Sequence, residues 1–185
     1  MIHYPTFQFA SPPRTATTWF CQAAHIAGLG WGDKAHAHIP PPENFGGVNV
    51  CLVRHPYDWL VSYYYALLGG AIGVDCVDVF VPMARESKDL KQFVRRYTIE
   101  YPGAIWDMHR AYQASIVYRV EDLPWNVIGF FESLGVKKHL LKKLETAGPT
   151  NVCQNIPYAD FPKLKKRVCE VEKEFCERYD YDYWN

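Results

Sequence analysis

The sequence has no surplus of charge of either sign, because its 20 lysines and arginines are matched by 20 aspartates and glutamates. A protein that binds a nucleic-acid polymer normally carries a basic excess, so this balance argues against such a partner. The six cysteines include no C-x-x-C pair, which counts against a zinc knuckle or a redox motif.

Long apolar runs are also missing. No stretch approaches the roughly 18 apolar residues of a membrane span, and the start, MIHYPTFQF, shows neither the basic nor the apolar region of a signal peptide. We therefore expect a cytoplasmic protein with no membrane span and with reduced cysteines. The 185 residues, 49% of them hydrophobic, predict one domain over residues 1–185. The oligomeric state stays open.

Short apolar runs alternate with segments of helical periodicity. The predicted strands cover residues 3–10, 34–39, 48–53 and 115–120. The predicted helices cover 15–27, 57–68, 88–99, 103–114, 124–135, 136–146 and 162–178, with an irregular insert at 69–82. This alternation predicts an α/β fold with a central parallel β-sheet flanked by helices. In such sheets, ligands bind beyond the carboxyl ends of the strands.

The stretch SPPRTATTWF, residues 11–20, joins the first predicted strand to the first helix. Backbone N–H groups and the positive end of the helix dipole favour an anion at such a joint. Arg14 adds a guanidinium, and the threonines at 15, 17 and 18 add hydroxyl donors. Alternatively, Thr15 only caps the helix and Arg14 is a solvated charge. The glycines and the Lys-Ser/Thr pair of a Walker A loop are absent, which disfavours a magnesium-dependent ATP or GTP hydrolase.

A second polar segment follows the strand at 48–53. Arg54 ends that strand, and Ser62 lies about two turns into the next helix. A charge and a hydroxyl that converge from a strand end and a helix could bind one phosphate. The alternative is a structural pair of Arg54 with Asp58 and a Ser62 on the helix surface.

The third segment, HAHIPP, carries two histidines. In an extended segment, His36 and His38 point to the same side. A metal site is disfavoured because no third ligand stands at a convincing spacing. His38 could act as a general base at the edge of the sheet; the alternative is a hydrogen-bonded histidine in a partly buried position.

Taken in order, these segments resemble the motifs of the sulfotransferases that use 3′-phosphoadenosine 5′-phosphosulfate (PAPS). PRTATTW at 13–19 is similar to the family's phosphosulfate loop, and RHPYDWLVS at 54–62 to its Arg-to-Ser motif. AHIPP at 37–41 is similar to the stretch that carries the catalytic base. VEDL at 120–123, followed by FFESLG at 130–135, is similar to a later strand-to-helix motif.

The resemblance implies a three-layer, P-loop-like fold and a PAPS donor that leaves as the 3′,5′-bisphosphate (PAP), with no metal. Arg14 would stabilise charge on the leaving phosphate, Arg54 and Ser62 would bind the 3′-phosphate, and His38 would take the proton from an acceptor hydroxyl or amine. Trp19 would stack on adenine. The donor-binding residues that it implies are Arg14, Thr15, Ala16, Thr17, Thr18, Trp19, Arg54 and Ser62.

Several positions depart from the family pattern. Ala16 replaces the loop glycine, which costs about 1 kcal/mol if the backbone needs a positive φ and little if it does not. Arg14 replaces a lysine, His36 stands where a sulfate-contacting lysine is common, and Val120 replaces a tyrosine. The glycine-rich C-terminal loop of the cytosolic branch, which supplies further 3′-phosphate contacts, is absent.

The acceptor is expected to be a small molecule or a glycan. Its candidate contacts are His36, Phe45, Trp106 and His109. Two alternatives remain: a non-catalytic donor- or partner-binding protein of the same fold, and a P-loop-type kinase of a small molecule.

Overall fold

The computed structural model describes residues 1–30, 36–42, 47–69, 79–147 and 161–181. The chain forms two compact units. Unit 1 comprises Met1–Arg54 and Met108–Val152, and unit 2 comprises His55–Asp107 and Cys153–Asn185. The expectation of a single domain stays a prediction.

Four strands of unit 1 form one mixed sheet within the described residues, in the order β1, β2, β3, β4. They are β1 Ile2–His3, β2 Gln8–Phe9, β3 Asn49–Val53 and β4 Ile116–Arg119. The β2, β3 and β4 strands run parallel, as predicted, with Phe9 beside Val50 and Val53 beside Arg119. The β1 strand is antiparallel to β2, so the sheet is not wholly parallel.

The predicted strand over residues 3–10 is divided into β1 and β2. Pro5 lies between them and has no N–H to donate to a strand ladder. The chain turns there instead, and the Tyr4 N–H donates to the Phe7 carbonyl at 2.9 Å across the turn.

Nine α-helices lie in the described residues. They are α1 Thr17–Ile26, α2 Pro56–Leu68, α3 Phe80–Glu86, α4 Leu90–Glu100, α5 Ala104–Arg110, α6 Trp125–Ser133, α7 Lys138–Glu145, α8 Pro162–Val171 and α9 Lys173–Tyr179. The predicted α/β class is therefore confirmed. The structure is compatible with a three-layer arrangement. No helix in the described part of the chain is long and apolar enough to cross a membrane.

The core of unit 1 follows the two-residue period of its strands. Phe9, Val50 and Leu52 pack in one cluster with apolar side chains of α1, α6 and α7. Ala10 and Cys51, one position along, pack in a second cluster on the other side of the sheet. Phe9 is stacked on Phe20 of α1 at 3.9 Å between ring centroids, which holds the first residues of α1 against the strand that precedes them.

In unit 2, α2 contacts α3, α4 and α8. Pro56 opens α2, and the His55 side chain accepts a hydrogen bond from the Tyr57 N–H, so residue 55 caps the helix. Trp59 and Tyr63 of α2 are fully buried and stack on each other at 4.6 Å.

Three predicted elements differ from the structure. The strand expected at 34–39 is wrong at His36–His38, which form one turn of 3₁₀ helix before Pro40 stops it. The irregular insert expected at 69–82 is wrong at its end, because α3 begins at Phe80. The single helix expected at 162–178 is broken at Glu172 into α8 and α9.

Candidate functional site

The loop between β2 and α1 contains two left-handed residues. Arg14 has φ 66°, and Ala16, the N-cap of α1, has φ 56° and ψ 26°. Thr15 between them has no positive φ. When residues with and without a positive φ alternate along a loop, successive backbone N–H groups point into one concavity, which suits an anion. The backbone at Ala16 thus needs a positive φ, and of the two possibilities left open by the sequence the strained one applies.

Ser11 fastens this loop to the sheet. Its hydroxyl lies 2.9 Å from the Leu52 carbonyl as donor and 3.2 Å from the Leu52 N–H as acceptor. The Ser11 side chain therefore takes the place of a backbone hydrogen-bond partner for Leu52 of β3, two residues after the end of β2. Ser11 is fully buried, and the Thr15 hydroxyl lies 2.6 Å from its Oγ. The start of the loop is accordingly fixed relative to the carboxyl end of β3.

The three threonines of the loop have different surroundings. The Thr15 hydroxyl is fully buried and donates to the Pro12 carbonyl at 2.5 Å, so its side chain stabilises the loop and only its backbone is left to face an anion. Thr17 is 6% exposed, and its Oγ1 has no hydrogen-bond partner among the described residues. Thr18 is half-buried in the first turn of α1. A buried hydroxyl without a partner is uncommon in proteins and marks Thr17 as a candidate ligand contact.

Trp19 lies in the hydrophobic core of unit 1. It is 5% exposed, and its indole N–H donates to the Ala147 carbonyl at 3.4 Å. Packing of this kind anchors the first turn of α1. Stacking of Trp19 on an adenine stays a prediction.

His38 ends the 3₁₀ turn, and its ring is joined to the loop. Its Nδ1 lies 2.9 Å from the Ser11 carbonyl. A carbonyl only accepts, so Nδ1 carries the proton and Nε2 carries the lone pair of the neutral ring. Burial lowers the pKa of His38, the hydrogen bond to Ser11 opposes this, and the positive charges of the Met1 amino group and the Arg14 guanidinium lower the pKa further. The ring is thus held neutral, with Nε2 as a proton acceptor.

Arg54 follows the last residue of β3 directly and is half-buried. It therefore lies at the same edge of the sheet as the loop, because β2 and β3 are parallel and adjacent. Ser62 is 2% exposed in α2, so it is not a surface residue of the helix. Arg54 belongs to unit 1 and Ser62 to unit 2, and their joint contact with one phosphate stays a prediction.

The candidate acceptor contacts are scattered. His36 opens the 3₁₀ turn, so the extended segment that was expected there is not formed. Phe45 lies outside the described residues. Trp106 in unit 2 is half-buried, and its backbone N–H donates to Glu172 Oε2 at 3.0 Å. His109 in unit 1 is 3% exposed, and burial lowers its pKa to about 3. A role for these four residues in acceptor binding stays a prediction.

Two residues of this site had no role in the sequence analysis. Ser11 joins the loop, β3 and the His38 ring, although it precedes two prolines and resembles an ordinary strand end. Tyr112 lies beyond the end of α5, yet its hydroxyl donates to the His38 carbonyl at 2.9 Å. Neither contact has a signal in residue spacing, since the partners are 27 and 74 positions away.

Within the described residues, no group of three or more histidine, cysteine, aspartate or glutamate side chains is arranged to hold a metal ion. No model of a known protein family matches the chain, and a search of curated proteins finds no match. The resemblance to sulfotransferases therefore depends on the four sequence motifs alone.

Proposed function

We propose that the protein is a sulfotransferase with a P-loop-like fold that moves a sulfuryl group from PAPS to a hydroxyl or amine of a small molecule or glycan. The observation that carries this proposal is the hydrogen bond from His38 Nδ1 to the Ser11 carbonyl. It ties a neutral proton acceptor to the residue that anchors the anion loop. Such a joint is needed where an acceptor must be deprotonated beside a bound phosphosulfate.

The donor-binding part of the proposal rests on the start of α1. The amides at the left-handed residues Arg14 and Ala16 and the first turn of the ten-residue helix suit a 5′-phosphosulfate. The hydroxyl of Thr17 supplies a donor that has no other partner in the described residues. The Arg14 guanidinium compensates the negative charge that grows on the bridging oxygen as the donor breaks.

The proposed transfer is a direct in-line displacement. The acceptor O–H or N–H loses its proton to His38 Nε2 while the acceptor atom forms a bond to sulfur. The bond between sulfur and the bridging oxygen breaks, and PAP leaves with that electron pair. His38 Nε2 suits this role because its lone pair is fixed by the proton on Nδ1.

The test is to incubate the purified chain with PAPS and a panel of hydroxyl and amine acceptors and to measure PAP release. His38→Ala is expected to lower turnover by roughly 10²- to 10⁴-fold with little change in PAP affinity. Strong PAP binding with no turnover on any acceptor would instead support the non-catalytic protein. Preference for ATP over PAP would refute the donor assignment and support a kinase.

The 3′-phosphate contact is tested with two ligands. Arg54→Ala is expected to weaken binding of PAP by roughly tenfold or more, because it removes a charge-assisted hydrogen bond. Binding of adenosine 5′-monophosphate, which lacks the 3′-phosphate, should change little. Arg110→Ala, an exposed arginine of the same unit, is the matched control. Equal losses for both ligands would contradict a contact between Arg54 and the 3′-phosphate.

A further inference from the structure

His38 is held at two separate points within unit 1. The Ser11 carbonyl accepts from the ring at Nδ1, at 2.9 Å, and so sets the ring's orientation. The Tyr112 hydroxyl donates to the backbone carbonyl of His38, also at 2.9 Å, and so holds the main chain of the 3₁₀ turn. A single turn of 3₁₀ helix has little stability of its own, and the next residues are Ile39 and three prolines. The position of His38 therefore depends on these outside contacts.

Tyr112 is itself firmly placed. It is 4% exposed and packs with Ala10 and Cys51 on one side of the sheet. The Asn49 side chain, at the first residue of β3, donates from Nδ2 to the Tyr112 carbonyl. The Tyr112 N–H donates to the His109 carbonyl at 3.0 Å. A continuous set of hydrogen bonds thus runs from the start of β3 through Tyr112 to His38.

A further contact completes the frame around the histidine. The Ser11 N–H donates to the Ala37 carbonyl at 2.8 Å, and Ala37 is fully buried. The 3₁₀ turn is consequently bound to the loop at Ala37 and through the His38 ring, and to Tyr112 at the His38 carbonyl. Of these three bonds, only the last comes from a side-chain hydroxyl that can be removed without altering the shape of the residue.

We propose that Tyr112 is a positioning residue for His38 and that it sets both the proton affinity and the orientation of the imidazole in the transfer reaction. This inference rests on the proposed function for its kinetic consequence, but its effect on His38 is a property of the protein alone. Without the hydroxyl, the His38 carbonyl loses its partner, and the 3₁₀ turn is held only by its two bonds to Ser11, at the Ala37 carbonyl and at the His38 ring. With this weaker restraint the imidazole shifts relative to the Ser11 carbonyl, gains water and proton affinity, and loses its preference for one tautomer.

The first experiment is independent of activity. The NMR chemical shifts of the imidazole nitrogens and carbons of His38 are measured as a function of pH in the wild type and in Tyr112→Phe. We expect the wild-type ring to keep its proton on Nδ1 and to titrate below its ordinary range. In Tyr112→Phe the titration should move up toward about 6.5 with a mixture of tautomers. Tyr4→Phe, a buried tyrosine of the same unit that packs against Phe7 and Phe20, is the control and should match the wild type.

The second experiment separates positioning from general stability. Tyr112→Phe is expected to lower kcat by roughly 5- to 100-fold, as a misplaced catalytic group does, while PAP affinity changes less than about twofold. In a His38→Ala background the same change should have no further effect on kcat, because Tyr112 acts through His38. An equal loss in both backgrounds would overturn the proposal.

The two experiments also distinguish the two proposals from each other. If the His38 titration is altered in Tyr112→Phe but the protein transfers no sulfuryl group, the positioning role of Tyr112 is supported and the proposed function is overturned. If the protein is active and Tyr112→Phe changes neither kcat nor the His38 titration, the positioning role of Tyr112 is overturned. The sulfotransferase assignment then still stands.

Discussion

At the scale of single residues, Ala16 and Thr17 each carry a local energetic cost at the start of α1. Ala16 adopts φ 56°, where the Cβ of an L-residue is unfavourable by about 1 kcal/mol. Thr17 buries a hydroxyl that has no partner among the described residues. Costs of this kind concentrate where a backbone or side chain is arranged for a ligand rather than for stability. Both residues are accordingly sites where stability and donor binding can be separated by mutation.

Ala16→Gly is expected to stabilise the protein by up to about 1 kcal/mol, because glycine adopts a positive φ without strain. The free energy of unfolding is measured by urea denaturation. Ala23→Gly, in the interior of α1, is the matched control and should destabilise by about 1 kcal/mol or more. Destabilisation of the same size in both variants would contradict a left-handed Ala16.

Thr17→Val is expected to change stability and donor binding in opposite directions. Loss of an unpaired buried hydroxyl should leave stability unchanged or raise it by about 1 kcal/mol, whereas loss of a hydrogen bond to a phosphate should weaken PAP binding by roughly 10- to 100-fold. Urea denaturation and calorimetry measure the two effects.

Thr98→Val is the control for this change. Thr98 is equally buried, at 6% exposure, but its hydroxyl donates to the Arg95 carbonyl at 2.9 Å. The variant should lower stability and leave PAP affinity unaltered. If Thr17→Val behaves in the same way, its hydroxyl does not contact the donor.

At the scale of elements, a buried carboxylate stands at the break between α8 and α9 in unit 2. Glu172 is 1% exposed and accepts hydrogen bonds from the Tyr97 hydroxyl and from the N–H groups of Ile105 and Trp106. Its carboxylate thus caps the start of α5 from the break between α8 and α9, and negative charge is favourable at the start of a helix. Burial raises the pKa of Glu172, and the hydrogen bonds from Tyr97 and the backbone oppose that rise.

Sequence periodicity does not reveal this break. Val168, Cys169, Phe175 and Cys176 are all buried, and their spacing continues across Glu172 as it would on one helix. On one helix Glu172 would lie on this same buried face, and the start of α5, which makes burial of its carboxylate favourable, is 67 positions away. The single helix expected over 162–178 was wrong because local spacing holds no information about such a partner.

Glu172→Ala is expected to destabilise the protein by about 2 to 3 kcal/mol, because the buried Tyr97 hydroxyl and the Trp106 N–H lose their acceptor and the Ile105 N–H keeps only the Tyr97 hydroxyl. The measurement is chemical denaturation followed by circular dichroism. Glu170→Ala, two residues earlier in α8, is the control: Glu170 pairs with Arg167 at an exposed position, 3.1 Å away, and its loss should cost less than about 1 kcal/mol. Similar values for the two variants would contradict the capping role.

At the scale of the whole molecule, two partly or fully buried histidines link folding to pH. Burial lowers the pKa of His109 to about 3 and also lowers the pKa of His38. Between the lowered pKa of each folded-state histidine and its ordinary value of about 6.5, the unfolded chain binds more protons than the folded chain. Their stabilising contribution is therefore fully present above about pH 6.5 and is lost as pH falls toward the folded pKa.

The resulting prediction concerns the slope of stability against pH. Between pH 6.5 and 5 the free energy of unfolding should fall by up to about 1.4 kcal/mol per pH unit for each such group. His109→Leu, which keeps an apolar side chain in the buried position, should make that slope shallower. His25→Leu, at an exposed histidine of the same unit, is the control. A wild-type slope in His109→Leu would contradict a neutral, buried His109.

The sequence alone determined the α/β class, the strands β3 and β4, the loop between β2 and α1, and the place of Arg54 at the end of β3. These follow from periodicity and from the conformational limits of proline, which act over a few residues. Tertiary structure decided the rest: the left-handed Ala16, the 3₁₀ turn in place of a strand, and the ties of His38 to Ser11 and Tyr112. The physical reason is that buried polar groups must find partners, and in this fold those partners are distant in sequence.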